Sequence, residues 1–212
     1  MTTYRPEFEA ALRLFARVSE AMKDRGFQAP VLVGGAAVEI YSLSAIATGD
    51  FDICTGAQEA FEEELQRHGF VRPSGPGMAT RGWVHPELKL GFEVVTSTLL
   101  DGMADRERVE LLDFAPDGDV AVISVEDIIA DRMGQYASGS APAMREQARR
   151  LFVLHDEADL AYMDKRIRYE SGGDYGVADL EDQSETRHPG RRIYRAHSKA
   201  QSRARHHRTR AS

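Results

Sequence analysis

An α+β fold is what these 212 residues predict. Three observations carry the prediction. Apolar residues recur at helical spacing near the N-terminus, short alternating or apolar runs punctuated by glycine and proline fill the middle, and helical spacing returns from Ser124 onward. The length suits one domain, or one domain with a helical annex.

Each element follows from local chemistry. Phe8, Ala11, Leu12, Phe15, Val18 and Met22 form one stripe of an amphipathic helix, and Gly26-Phe27 supplies a left-handed stop with its hydrophobic contact. Pro30 to Val33 is a short apolar strand ending in Gly34-Gly35, and Ala36 to about Leu43 reads as helix. The alternation of Asp50-Phe51-Asp52-Ile53 marks a half-buried strand. Thr55 and Gln58 are spaced as a capping box for a helix through His68, with Phe61 and Leu65 inward. After the loop Pro73-Ser74-Gly75-Pro76-Gly77 come two candidate strands, Ala79 to Val84 and Leu88 to Val95, joined by His85-Pro86-Glu87. A second hairpin pairs Val109–Phe114 with Val120–Ile123 across Asp117-Gly118. Ser124 and Asp127 cap a helix through about Arg132, Pro142 opens another, and a third spans about Asp159 to Tyr169.

Composition excludes several classes. Hydrophobic residues at 42% and charged residues at 29% rule out a wholly disordered chain, and no apolar run is long enough to cross a bilayer. Met1 to Phe27 lacks the uninterrupted apolar stretch of a signal peptide, and the single Cys54 supports neither an internal disulfide nor a thiolate zinc site. A cytoplasmic location is the expectation. The net charge of −7 is unevenly spread: residues 187–212 hold nine Lys or Arg and no acid, which leaves −16 on residues 1–186. That tail, with His188, His197, His206 and His207 but few large apolar residues, is expected to be disordered. Its charge suits nucleic-acid phosphates or the acidic body itself.

The chemistry centres on the aspartate strand. Side chains two apart on a strand share a face, so Asp50 and Asp52 place two carboxylates together while Phe51 and Ile53 face the core. Adjacent carboxylates repel without a cation between them, and hard oxygen donors with no nearby thiolate or imidazole favour Mg2+ or Mn2+. Upstream, Gly34 and Gly35 permit close backbone approach to a ligand, and the helix after them points N–H groups at an anion such as a phosphate. Glu93 alternates with Phe92 and Val94 and is a third carboxylate if its strand lies beside the Asp50–Asp52 strand. Glu126, Asp127 and Asp131 read as capping and surface ion-pairing residues, whereas Arg132 has two readings, a nucleotide-phosphate contact or a salt bridge between subdomains. Trp83 and Cys54 read as packing residues, and His85 as a hairpin former.

The ordered set of apolar strand, Gly34-Gly35, helix, Asp50-x-Asp52 and later strand acid resembles the nucleotidyltransferase superfamily that includes DNA polymerase beta. Gly34-Gly-Ala-Ala-Val38, Thr48-Gly-Asp50-Phe-Asp52, Trp83-Val-His85-Pro86 and Glu126-Asp-Ile-Ile-Ala-Asp131-Arg132 resemble bacterial nucleotidyltransferase-like proteins related to the abortive-infection toxins, from about Phe27 to Tyr169. The resemblance implies a mixed sheet flanked by helices over residues 1–123, a helical subdomain over 124–170, and a linker and tail over 171–212. It implies transfer of a nucleoside monophosphate from an NTP to an acceptor hydroxyl, with Asp50, Asp52 and Glu93 as catalytic metal ligands for Mg2+ or Mn2+. Gly34, Gly35 and Arg132 would hold the nucleotide. RNA, such as a tRNA end, is the favoured acceptor, with a protein or a small molecule such as an aminoglycoside as the alternative, and a cognate antitoxin is the implied partner. A catalytically degenerate nucleotide- or partner-binding module is the rival function. Gly35 stands where relatives often carry serine, and Ser44-Ala-Ile-Ala47 lacks the basic residue they carry before the aspartates, leaving Arg81, Lys89 or Arg132 to balance charge.

Overall fold

The computed structural model describes residues 4–73, 82–88 and 90–181. Arg81, Lys89, the glycine-rich loop from Ser74 and the basic tail lie outside the described residues. The elements run α1 (Pro6–Asp24), β1 (Val31–Val33), α2 (Gly34–Tyr41), β2 (Asp50–Cys54), α3 (Gln58–Arg67), β3 (Trp83–Val84), β4 (Gly91–Thr96), β5 (Glu110–Asp113), β6 (Asp119–Val122), α4 (Val125–Ala137), α5 (Met144–Leu154) and α6 (Leu160–Glu170). The architecture is α+β, with one mixed six-stranded sheet in the order β3-β4-β2-β1-β6-β5. β1 runs parallel to β6 and β2 parallel to β4, and the remaining pairs are antiparallel. Among the described residues no helix is long and apolar enough to cross a membrane.

One sheet face is an aromatic core. Phe51 of β2 stacks on Phe92 of β4 at 4.6 Å, and Phe8 and Phe15 of α1 close over them at 5.2 and 6.1 Å. Phe61 of α3 meets Phe15, and Phe70 meets Phe92. Phe8, Phe15, Phe51 and Phe61 are wholly buried, and each such side chain contributes roughly 1.5–3 kcal/mol by leaving water. Strand alternation then commits Asp50, Asp52 and Glu93 to the opposite face, where α2 and α4 lie.

Several local expectations shift. Thr55 does not form a capping box with Gln58: its backbone N–H is tied to Thr96 across the sheet, its hydroxyl accepts from the Ala57 N–H, and α3 starts after Ala57 with no side-chain cap. Ser124 caps α4 as expected, accepting from the Asp127 N–H at 3.1 Å while its hydroxyl donates to the Asp127 carboxylate at 2.7 Å. That helix continues to Ala137, past Arg132, because Met133 keeps the buried stripe going. α5 opens at Met144 rather than at Pro142. Packing also extends past residue 170: a 3-10 turn at Val177–Asp179 follows α6, and Val177 and Leu180 join the single buried core that runs through the molecule.

Asp127 is a correction. It is fully buried rather than a surface ion-pairing residue, and it accepts from Arg166 Nε at 2.8 Å and from the Tyr162 hydroxyl. Arg166, 2% exposed, also pairs with Glu170. The first turn of α4 is thereby bound to the first half and the middle of α6. Glu126, also buried, accepts from the Asp159 N–H at the start of α6.

Candidate active site

Parallel pairing of β2 and β4 puts Asp52 opposite Glu93 and Asp50 opposite Gly91. The three sequence-predicted acids therefore occupy adjacent positions on one sheet face. Asp52 leans toward β1: its Oδ2 accepts the Gly35 N–H at 3.2 Å. Asp50 leans the other way, over Gly91, where a β-carbon would come within 2.6 Å of its Oδ1. The carboxylates are splayed, and among the described residues no group of three or more His, Cys, Asp or Glu side chains is gathered closely enough to hold a metal ion. The donor chemistry, carboxylate oxygens on a shared face, fits a hard divalent cation.

The two glycines serve the protein's own side chains first. A β-carbon on Gly34 would fall 2.0 Å from Asp52 Oδ2, and Gly34 has a φ of +54°, so any other residue meets both a clash and a left-handed backbone. A β-carbon on Gly35 would strike the Thr48 hydroxyl at 2.3 Å. The head of α2 is packed against the aspartate strand because glycine leaves the room.

Beside Asp52 opens a cleft of about 480 Å³. Its apolar lining includes Val33, Ile123 and Ile128, and its polar rim includes Asp131, Arg132 and Gln135 of α4 and Glu170 of α6. Gly134 is what lets α6 come so close, since a β-carbon there would lie 2.9 Å from Glu170 Cβ. Burial is the largest influence on the Asp52 carboxyl and holds its pKa above the ordinary value, with the Gly35 N–H and Arg132 opposing and Asp50 adding to the rise. Asp131 is likewise pushed up by burial, against the pull of Arg132 and Gln135. Glu170 is raised by burial, against Arg166.

Neither the family-model comparison nor the search of curated proteins gives a match to this chain.

Arg132 is the cation that faces Asp52. Its guanidinium, 8% exposed, has its ion-pair contact with the neighbouring Asp131 at 3.3 Å, and its Nε has no hydrogen-bond partner. Between α4 and α6 the ion pair is made by Arg166 with Asp127. Cys54 sits past a register shift in β2, 2% exposed, and burial raises its thiol pKa, consistent with a packing role. Trp83 is buried under Arg72, and His85 packs edge-on against Phe70 beside the β3–β4 turn.

Sequence reasoning missed the polar wall of the cleft. Asp131 reads as a surface residue of a helix, yet it lines the cleft, and Gln135 and Glu170 carry no motif at all. Arg5 and Glu39 were also invisible. Glu39 is fully buried at the end of α2 and receives Arg5 from the chain's start, a pairing across 34 residues that no local pattern announces.

Proposed function

We propose that the chain is a metal-dependent nucleotidyltransferase of the polymerase-beta type, moving a nucleoside monophosphate from an NTP to an acceptor hydroxyl. The observation that carries this reading is the β2–β4 register, which sets Glu93 directly opposite Asp52 and two strand positions from Asp50, beside the Gly34-Gly35 head of α2. In the reaction the acceptor oxygen attacks the α-phosphorus, the bond from that phosphorus to the bridging oxygen of the β-phosphate breaks, and pyrophosphate leaves in line. Bound Mg2+ or Mn2+ would neutralise charge on the triphosphate and acidify the attacking hydroxyl. Asp50 and Asp52 would hold it, and Glu93 would complete the set or take the hydroxyl proton. Arg132, whose charge acts on Asp52 and which lines the same cleft, would steady the phosphates. RNA remains the preferred acceptor, and a toxin acting beside a cognate antitoxin the preferred setting.

A second reading, a degenerate nucleotide-binding module, draws on the splay of Asp50 and Asp52 and on the engagement of Asp52 by Gly35. Incubating the protein with each labelled triphosphate, Mg2+ and total cellular RNA, protein or aminoglycosides separates the two. Label transferred to any acceptor by the wild type and lost in Asp52→Ala supports the enzyme; triphosphate binding without transfer supports the module; neither overturns both.

A further inference from the structure

The segment that delivers Asp50 is strained and clamped from afar. α2 ends in a 6→1, 5→2 helix stop, with the Ser44 N–H on the Glu39 carbonyl and the Leu43 N–H on the Ile40 carbonyl. The left-handed position of such a stop usually belongs to glycine. Here Leu43 takes it at φ 51°, and Ser44 follows at φ 62°. Two successive non-glycine residues in that region persist only where surrounding contacts over-determine them.

Those contacts converge on one carboxylate. Glu39, wholly buried, accepts from Arg5 Nε at 2.6 Å and Nη2 at 3.1 Å, from the Ser44 hydroxyl at 2.9 Å and from the Thr48 N–H at 2.5 Å. Arg5 closes the ring from outside, its Nη2 donating to the Thr48 carbonyl at 2.6 Å and its backbone N–H to the Ser44 hydroxyl at 3.1 Å. Thr48 then passes the constraint on, its hydroxyl donating to the Asp50 carbonyl at 3.1 Å. Both peptide groups of Thr48 are thus fixed two residues before the first aspartate. The local sequence Ser44-Ala-Ile-Ala-Thr-Gly49 has no basic residue ahead of the aspartates, and in space an arginine 45 residues upstream of Asp50 binds this stretch of backbone.

We propose that Arg5 and Glu39 are positioning residues for Asp50, acting through Thr48 to fix where the first carboxylate enters the site. The proposal rests on the reading of Asp50 and Asp52 as metal ligands. A merely structural clamp would lower melting temperature alone. A positioning clamp changes metal affinity in a chain that remains folded, because the ligand geometry is lost before the fold is.

The test is direct titration with Mn2+ alone, free Mn2+ being followed by electron paramagnetic resonance, on the full chain. Glu39→Gln places an amide against the Thr48 N–H; Thr48→Val removes the hydroxyl at equal volume in a half-buried position; Thr48→Ser restores it. The expected result is at least tenfold weaker Mn2+ binding in Glu39→Gln, a smaller loss in Thr48→Val, and wild-type affinity in Thr48→Ser, with circular dichroism confirming folded chains. If Glu39→Gln does not fold, Thr48→Val against Thr48→Ser decides. Wild-type affinity in Glu39→Gln and Thr48→Val overturns the clamp and leaves the metal reading standing. No Mn2+ binding by the wild type overturns the metal reading, and the clamp with it.

Discussion

The two faces of the sheet are built from the same strands and do opposite work. Phe51 and Phe92 stack into a dry aromatic core with α1, while Asp50, Asp52 and Glu93, their immediate neighbours in sequence, look out toward α2, α4 and a polar cleft. On the aromatic face, burial and packing add up without conditions. On the carboxylate face burial works against the charged form, as the raised Asp52, Asp131 and Glu170 carboxyls show, and the sheet carries that cost because the first face is so well packed. The carboxylates of this molecule are sited where folding gains least.

The contrast breaks most visibly on the aromatic side. Phe92→Ala opens a cavity under the Phe15, Phe51 and Phe70 rings and should lower unfolding free energy by about 4 kcal/mol in a urea titration. Next comes a place behind the carboxylate face where charge does hold the fold. Arg166→Met leaves the buried Asp127 without its guanidinium partner, and about 3 kcal/mol should be lost in the same measurement.

Removing charge from the cleft should act the other way. The native Asp131 carboxyl keeps its proton to a higher pH than the unfolded chain, whose aspartates titrate near ~3.9. Between that value and the raised one the native state binds more protons, so stability falls as pH rises through the window, and above it the ionised group is a net penalty. Asp131→Asn should therefore be more stable than the wild type at pH 7 and show a shallower decline in melting temperature between acid and neutral pH. The smallest effect belongs to Gly91→Ala. The new β-carbon meets only the far end of the Asp50 side chain, so stability should stay within about 0.5 kcal/mol, while the proposed nucleotidyl transfer should fall as Asp50 is turned aside.

How much of this was legible beforehand follows from the range of each interaction. The alternation of Asp50-Phe51-Asp52-Ile53 and of Phe92-Glu93-Val94 encodes the two faces directly, since a strand's period is a local property. Ser124 announces its helix for the same reason, as does the Gly26 stop. Thr55 misled because a cap signal competes with a sheet bond that sequence does not display. Pairing of Asp52 with Glu93 was conditional on strand neighbours, which register alone decides. Glu39, Asp131 and Glu170 look like ordinary helix-surface acids; only the approach of α4, α6 and the N-terminal segment makes them otherwise.

The glycines around the aspartates have a historical consequence. Gly91 and Gly35 have ordinary backbone angles, and each is the negative image of one side chain, Asp50 in the first case and Thr48 in the second. A lineage that loses Asp50 is at once free to put alanine at 91, whereas the reverse order must pass through a crowded intermediate. Once the glycine is filled, restoring the acid alone no longer restores its place.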